Sequence, residues 1–371
     1  MTRAYYIDRL RILLTMLVIF HHSAIAFGAS GGWYYMTPNA STGVTQMVLS
    51  LFMAIDQAFF MSFFFFISAL LMPDSYDRKG FGRFIKDRFI RLGIPLAVYT
   101  ILLHPTLVYG IHKYLDKPTG NYFGFVWTII TKYAEPGPMW FVLTLLIFEL
   151  IYALVRHFTK NDYALKKNGK LPSALPIIGF ILGTGALAFV VRLVYPTGKN
   201  FFGLQFGYFV LYIAMYTMGL LANHRKWIDR LTVKNATPWF VVSLVAILVN
   251  IVFMALNKNT GAMNNFAGGM NLSALTYALW EPFICVGFCF FLLMYFKEHL
   301  NKPSKLVLAA SCDSYAAYII HPLIVVGFTF LSEKLTWSPL ARLAFVLLLS
   351  IPTCFLAARV IRKIPGVKRV L

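Results

Sequence analysis

The chain has 371 residues, of which 59% are hydrophobic and 13% charged, against about 45–50% and about 25% in an ordinary soluble domain. A water-soluble globule is excluded. Its 34 Lys and Arg against 14 Asp and Glu leave a formal net charge of +20, which in a soluble protein points to nucleic acid; a chain this apolar instead needs basic loops on one side of a bilayer, and no nucleic-acid partner is expected.

The first apolar run, 12–27, follows Arg3, Arg9 and Arg11 in the manner of a signal peptide, but His21 and His22 interrupt its core and favour a first membrane span. Further runs follow at 47–72, 90–111, 139–155, 174–194, 206–222, 239–256, 272–296, 307–331 and 340–361. Each span takes about 20 apolar residues, so the sequence predicts an all-α polytopic bundle of about ten transmembrane helices. The chain reads as a single transmembrane domain, 1–371, because no polar stretch is long enough to fold separately.

With the N-terminus in the cytoplasm, the segments 3–11, 78–91, 156–170, 225–234, 297–305 and 359–369 hold 26 of the basic residues and leave eight on the other side. That asymmetry places both termini inside. Trp33, Tyr34 and Tyr35, and Trp227 and Trp239, then read as interface-belt aromatics. The outer loops 28–45, 112–135 and 257–269 are the segments able to shape a site on the far side. All four cysteines (Cys285, Cys289, Cys312, Cys354) lie in apolar runs and read as inert buried thiols. There is no Gly-rich phosphate loop, nucleophile elbow or metal-type ligand spacing, so no metal is expected.

The few ionisable residues inside apolar runs carry the functional signal, because such groups are costly in a bilayer. Arg11 and His22 are eleven residues apart. At 100° and 1.5 Å per residue they share one helix face within about 20°, separated by roughly 16 Å. One face thus holds a cation near the cytosol and an imidazole, the side chain suited to proton transfer near neutral pH, at mid-membrane. Arg88 and Arg91, with Lys86 nearby, form a basic patch at the start of the third run. It suits phosphate groups, or headgroup anchoring. Asp56, Glu149, Glu281, Asp313 and His321 lie within or beside other runs, where each needs a partner.

Five segments resemble the membrane-bound acyltransferase type 3 family in the same order. They are Tyr6-Ile7-Asp8-Arg9-Leu10-Arg11 with His22, Phe64 to Leu71 closing the second run, Arg88-x-x-Arg91 with Pro95, Met139-Trp140-Phe141-Val142, and Ser314-Tyr315 to His321-Pro322. Ala69 stands where the family commonly has Gly. The likeness is to stand-alone members without an appended extracytoplasmic esterase-like domain, and Phe20 to Ala24 is similar to the branch that succinylates periplasmic glucans.

The resemblance implies transfer of an acyl group, acetyl or succinyl, from cytoplasmic acyl-CoA to a hydroxyl of a glycan or other envelope acceptor. Acyl-CoA is then the donor substrate, and the cell membrane is the setting that the family implies. It assigns His22 and Arg11 to the catalytic motif and Arg88 and Arg91 to the donor site, with Glu149, Glu281, Asp313 and His321 as further polar candidates. The rival class is a transporter or glycan exporter using Glu149, Glu281 and Asp313 as a proton or substrate path.

Overall fold

The computed structural model describes residues 4–159, 169–256 and 266–371. Arg3, Lys160, Lys166, Lys167 and Lys258 of the charge pattern, and 257–265 of the third outer loop, lie outside the described residues. In chain order the helices are α1 (Tyr5–Ala26), α2 (Gly43–Arg88), α3 (Ile94–Val98), α4 (His104–Tyr114), α5 (Tyr122–Lys132), α6 (Trp140–Thr159), α7 (Ala174–Val194), α8 (Phe209–Arg225), α9 (Val233–Leu256), α10 (Leu272–His299), α11 (Lys305–Glu333), α12 (Pro339–Ile361) and α13 (Val367–Val370). Among the described residues, β-type pairing is limited to one isolated bridge, Phe201 with Leu204.

Among the described residues, nine helical stretches are long and apolar enough to cross a membrane, and they carry all ten predicted runs. The runs at 47–72 and 90–111 share one stretch, Gly43–Tyr114. Its 72 residues would extend roughly 108 Å as one straight helix, over three times the hydrocarbon thickness. Gly80 breaks it, with φ 68° and ψ 170°, a conformation that side chains with a Cβ resist. The second outer loop also differs from expectation. It contains α5, whose 11 residues were too few to read as a span, capped by the Asn121 side chain accepting from the Gly124 N–H at 2.7 Å.

Contacts divide the chain into two compact units, residues 1–10, 54–80 and 158–303, and residues 11–53, 81–157 and 304–371. In the first unit, α9 buries only Ala236, Ser243 and Asn250, a narrow seam at seven-residue spacing. Val241, Val245, Leu248 and Val252 face outward. This is the arrangement expected in lipid, where small and polar residues take the helix contacts and large apolar ones the outside. Gly287 of α10 meets the Trp239 carbonyl and Ser243, and Gly185 of α7 meets α10 at Ala278 and Leu279.

Gly219 of α8 packs against the Phe66 carbonyl and the Ala69 side chain of α2. That contact explains why the Phe64 to Leu71 segment needs a small residue at Ala69. A methyl group at Gly219 has no room without moving backbone, so Gly219→Ala is expected to destabilise the protein by about 1–3 kcal/mol. Thermal unfolding in detergent checks it, and an unchanged midpoint refutes the close packing.

In the second unit, Ser304 and Ser338 cap α11 and α12 by accepting from the Val307 and Ala341 N–H groups. α12 buries Arg342, Val346, Ser350, Cys354 and Ala358 in a stripe of four-residue spacing. The helix around Pro95 is relaxed into two π-helical turns, Phe89–Gly93 and Tyr99–Leu103. Proline has no N–H for the carbonyl four residues back, here Arg91. The Tyr315 hydroxyl of α11 supplies the missing donor, 3.0 Å from that carbonyl. Of the cysteines, Cys285, Cys289 and Cys354 are buried as expected, but Cys312 is exposed. It sits in the early turns of α11 beside buried Asp313, on a face that apolarity alone cannot distinguish from the packed one.

Candidate active site

The second unit assembles its polar groups around His22, near the end of α1, and His321, at the middle of α11. The Nε2 atom of His321 lies 3.0 Å from Nδ1 of His22, and the two rings stack with centroids 4.9 Å apart. His321 is fully buried, whereas His22 is partly accessible.

Pro322 explains how His321 is held. The carbonyl four residues before it belongs to Tyr318 and is deprived of its helical donor. The Nδ1 atom of His321 fills that position, hydrogen-bonded to the Tyr318 carbonyl. A carbonyl only accepts, so His321 donates through Nδ1, and its neutral ring accepts at Nε2. His22 therefore donates through its own Nδ1 and keeps its lone pair at Nε2. The helical proline thus fixes, through one carbonyl and one imidazole, which nitrogen of His22 can take a proton.

Tyr318 is anchored in turn. Its hydroxyl donates to the carbonyl of Pro138, in the 3-10 turn Gly137–Met139 that opens α6. Gly137 adopts φ 50°, and a Cβ there would strike the Tyr34 hydroxyl. The Met139-Trp140-Phe141-Val142 segment thus begins where a tight turn carries a carbonyl to the site.

Trp33, Tyr34 and Tyr35 are not a simple interface belt. Gly28 and Gly31, at φ 111° and 146°, turn the chain back after α1, and the Thr37 and Ser41 N–H groups donate to the Ala26 and Phe27 carbonyls, both at 2.9 Å. The loop is thereby folded onto the helix end. Trp33 stacks on His22 with centroids 4.1 Å apart. Tyr34 places its hydroxyl 2.8 Å from His104 Nδ1 and 3.1 Å from the Tyr99 hydroxyl. Burial raises the Tyr34 hydroxyl above the usual tyrosine range, so it stays protonated at neutral pH. Tyr35 donates to Glu333 at 2.7 Å. The only sequence signal for this was an aromatic run beside a histidine and behind two glycines.

Arg11 lies on α1 eleven residues before His22 and is half-buried. Arg88 pairs with Glu149 at 3.2 Å and is largely buried, its side chain 16% exposed. Arg91 is 56% exposed and pairs with Asp87 at 3.5 Å, so it is the more open of the two guanidinium groups. Asp313 accepts from Arg359 at 3.1 Å and Arg362 at 2.7 Å. In the first unit Glu281 pairs with Arg192, whose guanidinium lies over the rings of Tyr208 and Tyr277. All three carboxylates of the rival transport path are therefore engaged by arginines. Of the predicted site residues, His22 and His321 meet directly, as do Arg88 and Glu149.

These features define a multi-pass helical membrane protein with a histidine-centred site in its second unit. The chain belongs to the acyltransferase 3 family, whose sequence profile, described as an acyltransferase domain, matches residues 4–359. Curated relatives include the glucans biosynthesis protein C of Salmonella heidelberg and of Salmonella schwarzengrund, each 25% identical over 267 residues that cover 67% of this chain. The match spans 66% of the length of those relatives.

Proposed function

We propose that this protein is an O-acyltransferase of the cell membrane that moves an acetyl or succinyl group from cytoplasmic acyl-CoA to a hydroxyl of a glucan or other envelope glycan. The observation that carries this reading is the oriented His22–His321 pair. His22 Nε2 acts as the general base on the acceptor hydroxyl. His321 fixes the tautomer and holds the imidazolium that forms. Family membership supports acyl transfer, and the likeness to glucans biosynthesis protein C supports a glucan as acceptor. Arg11 orients the donor, and Arg88 and Arg91 meet its phosphates, with Arg91 the more open contact.

Purified protein in lipid nanodiscs, given acetyl-CoA or succinyl-CoA, is expected to release free CoA thiol in step with acylation of an added glucan oligosaccharide. Movement of glycan across the bilayer with no acyl donor and no thiol release would instead establish the transport reading. Arg91→Ala is expected to raise the KM for acyl-CoA roughly tenfold with a smaller change in kcat, the size of one lost charge-assisted contact. Arg88→Ala has a second effect, because it strips buried Glu149 of its partner and lowers stability as well. An unchanged KM in Arg91→Ala moves the phosphate contact elsewhere.

A further inference from the structure

Trp33 holds a group that nothing so far uses. Its indole Nε1 is buried and has no hydrogen-bond partner among the described residues, although a donor left so in a protein interior is costly. Buried indole N–H groups ordinarily find an acceptor, and in an interface belt they point at water or headgroups. Here the ring lies against the site instead, stacked on His22 with planes 22° apart and nearly parallel to His321 at 18°. The indole N–H lies in the plane of its own ring. Near-parallel stacking therefore directs it alongside the imidazole rather than into it, so His22 is not its acceptor.

The position is also imposed from outside the indole. Gly28 and Gly31 turn the loop, and a Cβ at Gly31 would strike Ile25 while one at Gly28 would strike the Ser41 carbonyl. The Thr37 and Ser41 backbone bonds close it. The backbone thus holds a donor beside the base without providing an acceptor, which is the arrangement of a site whose acceptor atom arrives with the substrate.

We propose that the Trp33 Nε1–H donates a hydrogen bond to the carbonyl oxygen of the acyl thioester and strengthens it as that oxygen becomes an oxyanion. The proposal rests on the acyl-transfer reading above and adds a catalytic residue to it. His22 Nε2 takes the proton of the acceptor hydroxyl as the oxygen lone pair forms the new C–O bond. The C=O π pair moves onto the carbonyl oxygen, where Trp33 meets it. When the C=O re-forms, the C–S bond breaks and the CoA thiolate takes the proton back from His22. The products are the ester and the free thiol.

The test replaces the N–H and keeps the shape. The benzothienyl analogue of tryptophan, with sulfur in place of N–H, is introduced at position 33 beside Trp33→Phe. Both are assayed in nanodiscs with succinyl-CoA and acetyl-CoA and a soluble β-glucan oligosaccharide, by thiol release. The sulfur analogue is expected to lower kcat roughly 10- to 100-fold, at the lower end of what loss of one oxyanion donor costs, with the donor KM and thermal midpoint unchanged. A kcat within twofold of wild type in that analogue overturns the proposal, as does a change confined to KM, which would make Trp33 a binding contact. Absence of transfer by the wild-type protein overturns the acyl-transfer reading itself, so the two failures are distinct.

Discussion

His22→Gln is expected to lower acyl transfer roughly 10²- to 10⁴-fold, the contribution of a positioned general base, while the protein still folds and inserts. Gln is close to His in size and can occupy the space beside Trp33 and His321, but its amide has no basic lone pair. The KM for acyl-CoA should change little, because the cationic residues proposed for the donor lie elsewhere on α1, at the end of α2 and in the π-helical turn that follows it. The measurement is kcat and KM by thiol release, with the thermal midpoint as the folding control. Near-normal kcat in a folded His22→Gln protein removes His22 from the chemistry. The same variant separates direct transfer from an acyl-enzyme relay. Labelled acyl group retained without acceptor by wild type, and lost in His22→Gln, marks an acyl-histidine. Retention by neither marks direct transfer.

Much of this architecture is legible in the sequence because the bilayer makes hydropathy a strong constraint. The ten apolar runs all fall in membrane-length helical stretches. Rotation is harder to read. On α9 the outward residues are as apolar as any core, and the protein-facing seam is Ala236, Ser243 and Asn250, so amphipathic logic taken from soluble helices gives no face to choose. Cys312 went astray for that reason. The Arg11 to His22 spacing is visible because it lies within one helix. Contacts between distant segments, such as Arg88 with Glu149 and His22 with His321, depend on tertiary packing and leave no periodic trace. Trp33 is the clearest case, since its place beside His22 is set by two positive-φ glycines and two loop hydrogen bonds rather than by its own character.

His321 and Pro322 should fail in different ways. His321→Leu removes the acceptor for the His22 Nδ1–H and is expected to cost roughly 10²- to 10³-fold in kcat, comparable to but smaller than the loss when a triad's tautomer-fixing carboxylate is replaced. Pro322→Ala leaves both imidazoles in place but supplies an N–H at position 322. That N–H can satisfy the Tyr318 carbonyl as an ordinary helical bond, in competition with His321 Nδ1. Removing an interior helical proline should preserve or raise stability, while kcat falls roughly tenfold because His321 no longer has a fixed tautomer. Since His321 acts only through His22, His22→Gln/His321→Leu should be no slower than His22→Gln alone. Additive losses in the double variant would show that His321 has its own contact with the reacting groups. A Pro322→Ala protein that is less stable yet fully active would show that the proline shapes α11 without governing the proton position on His22.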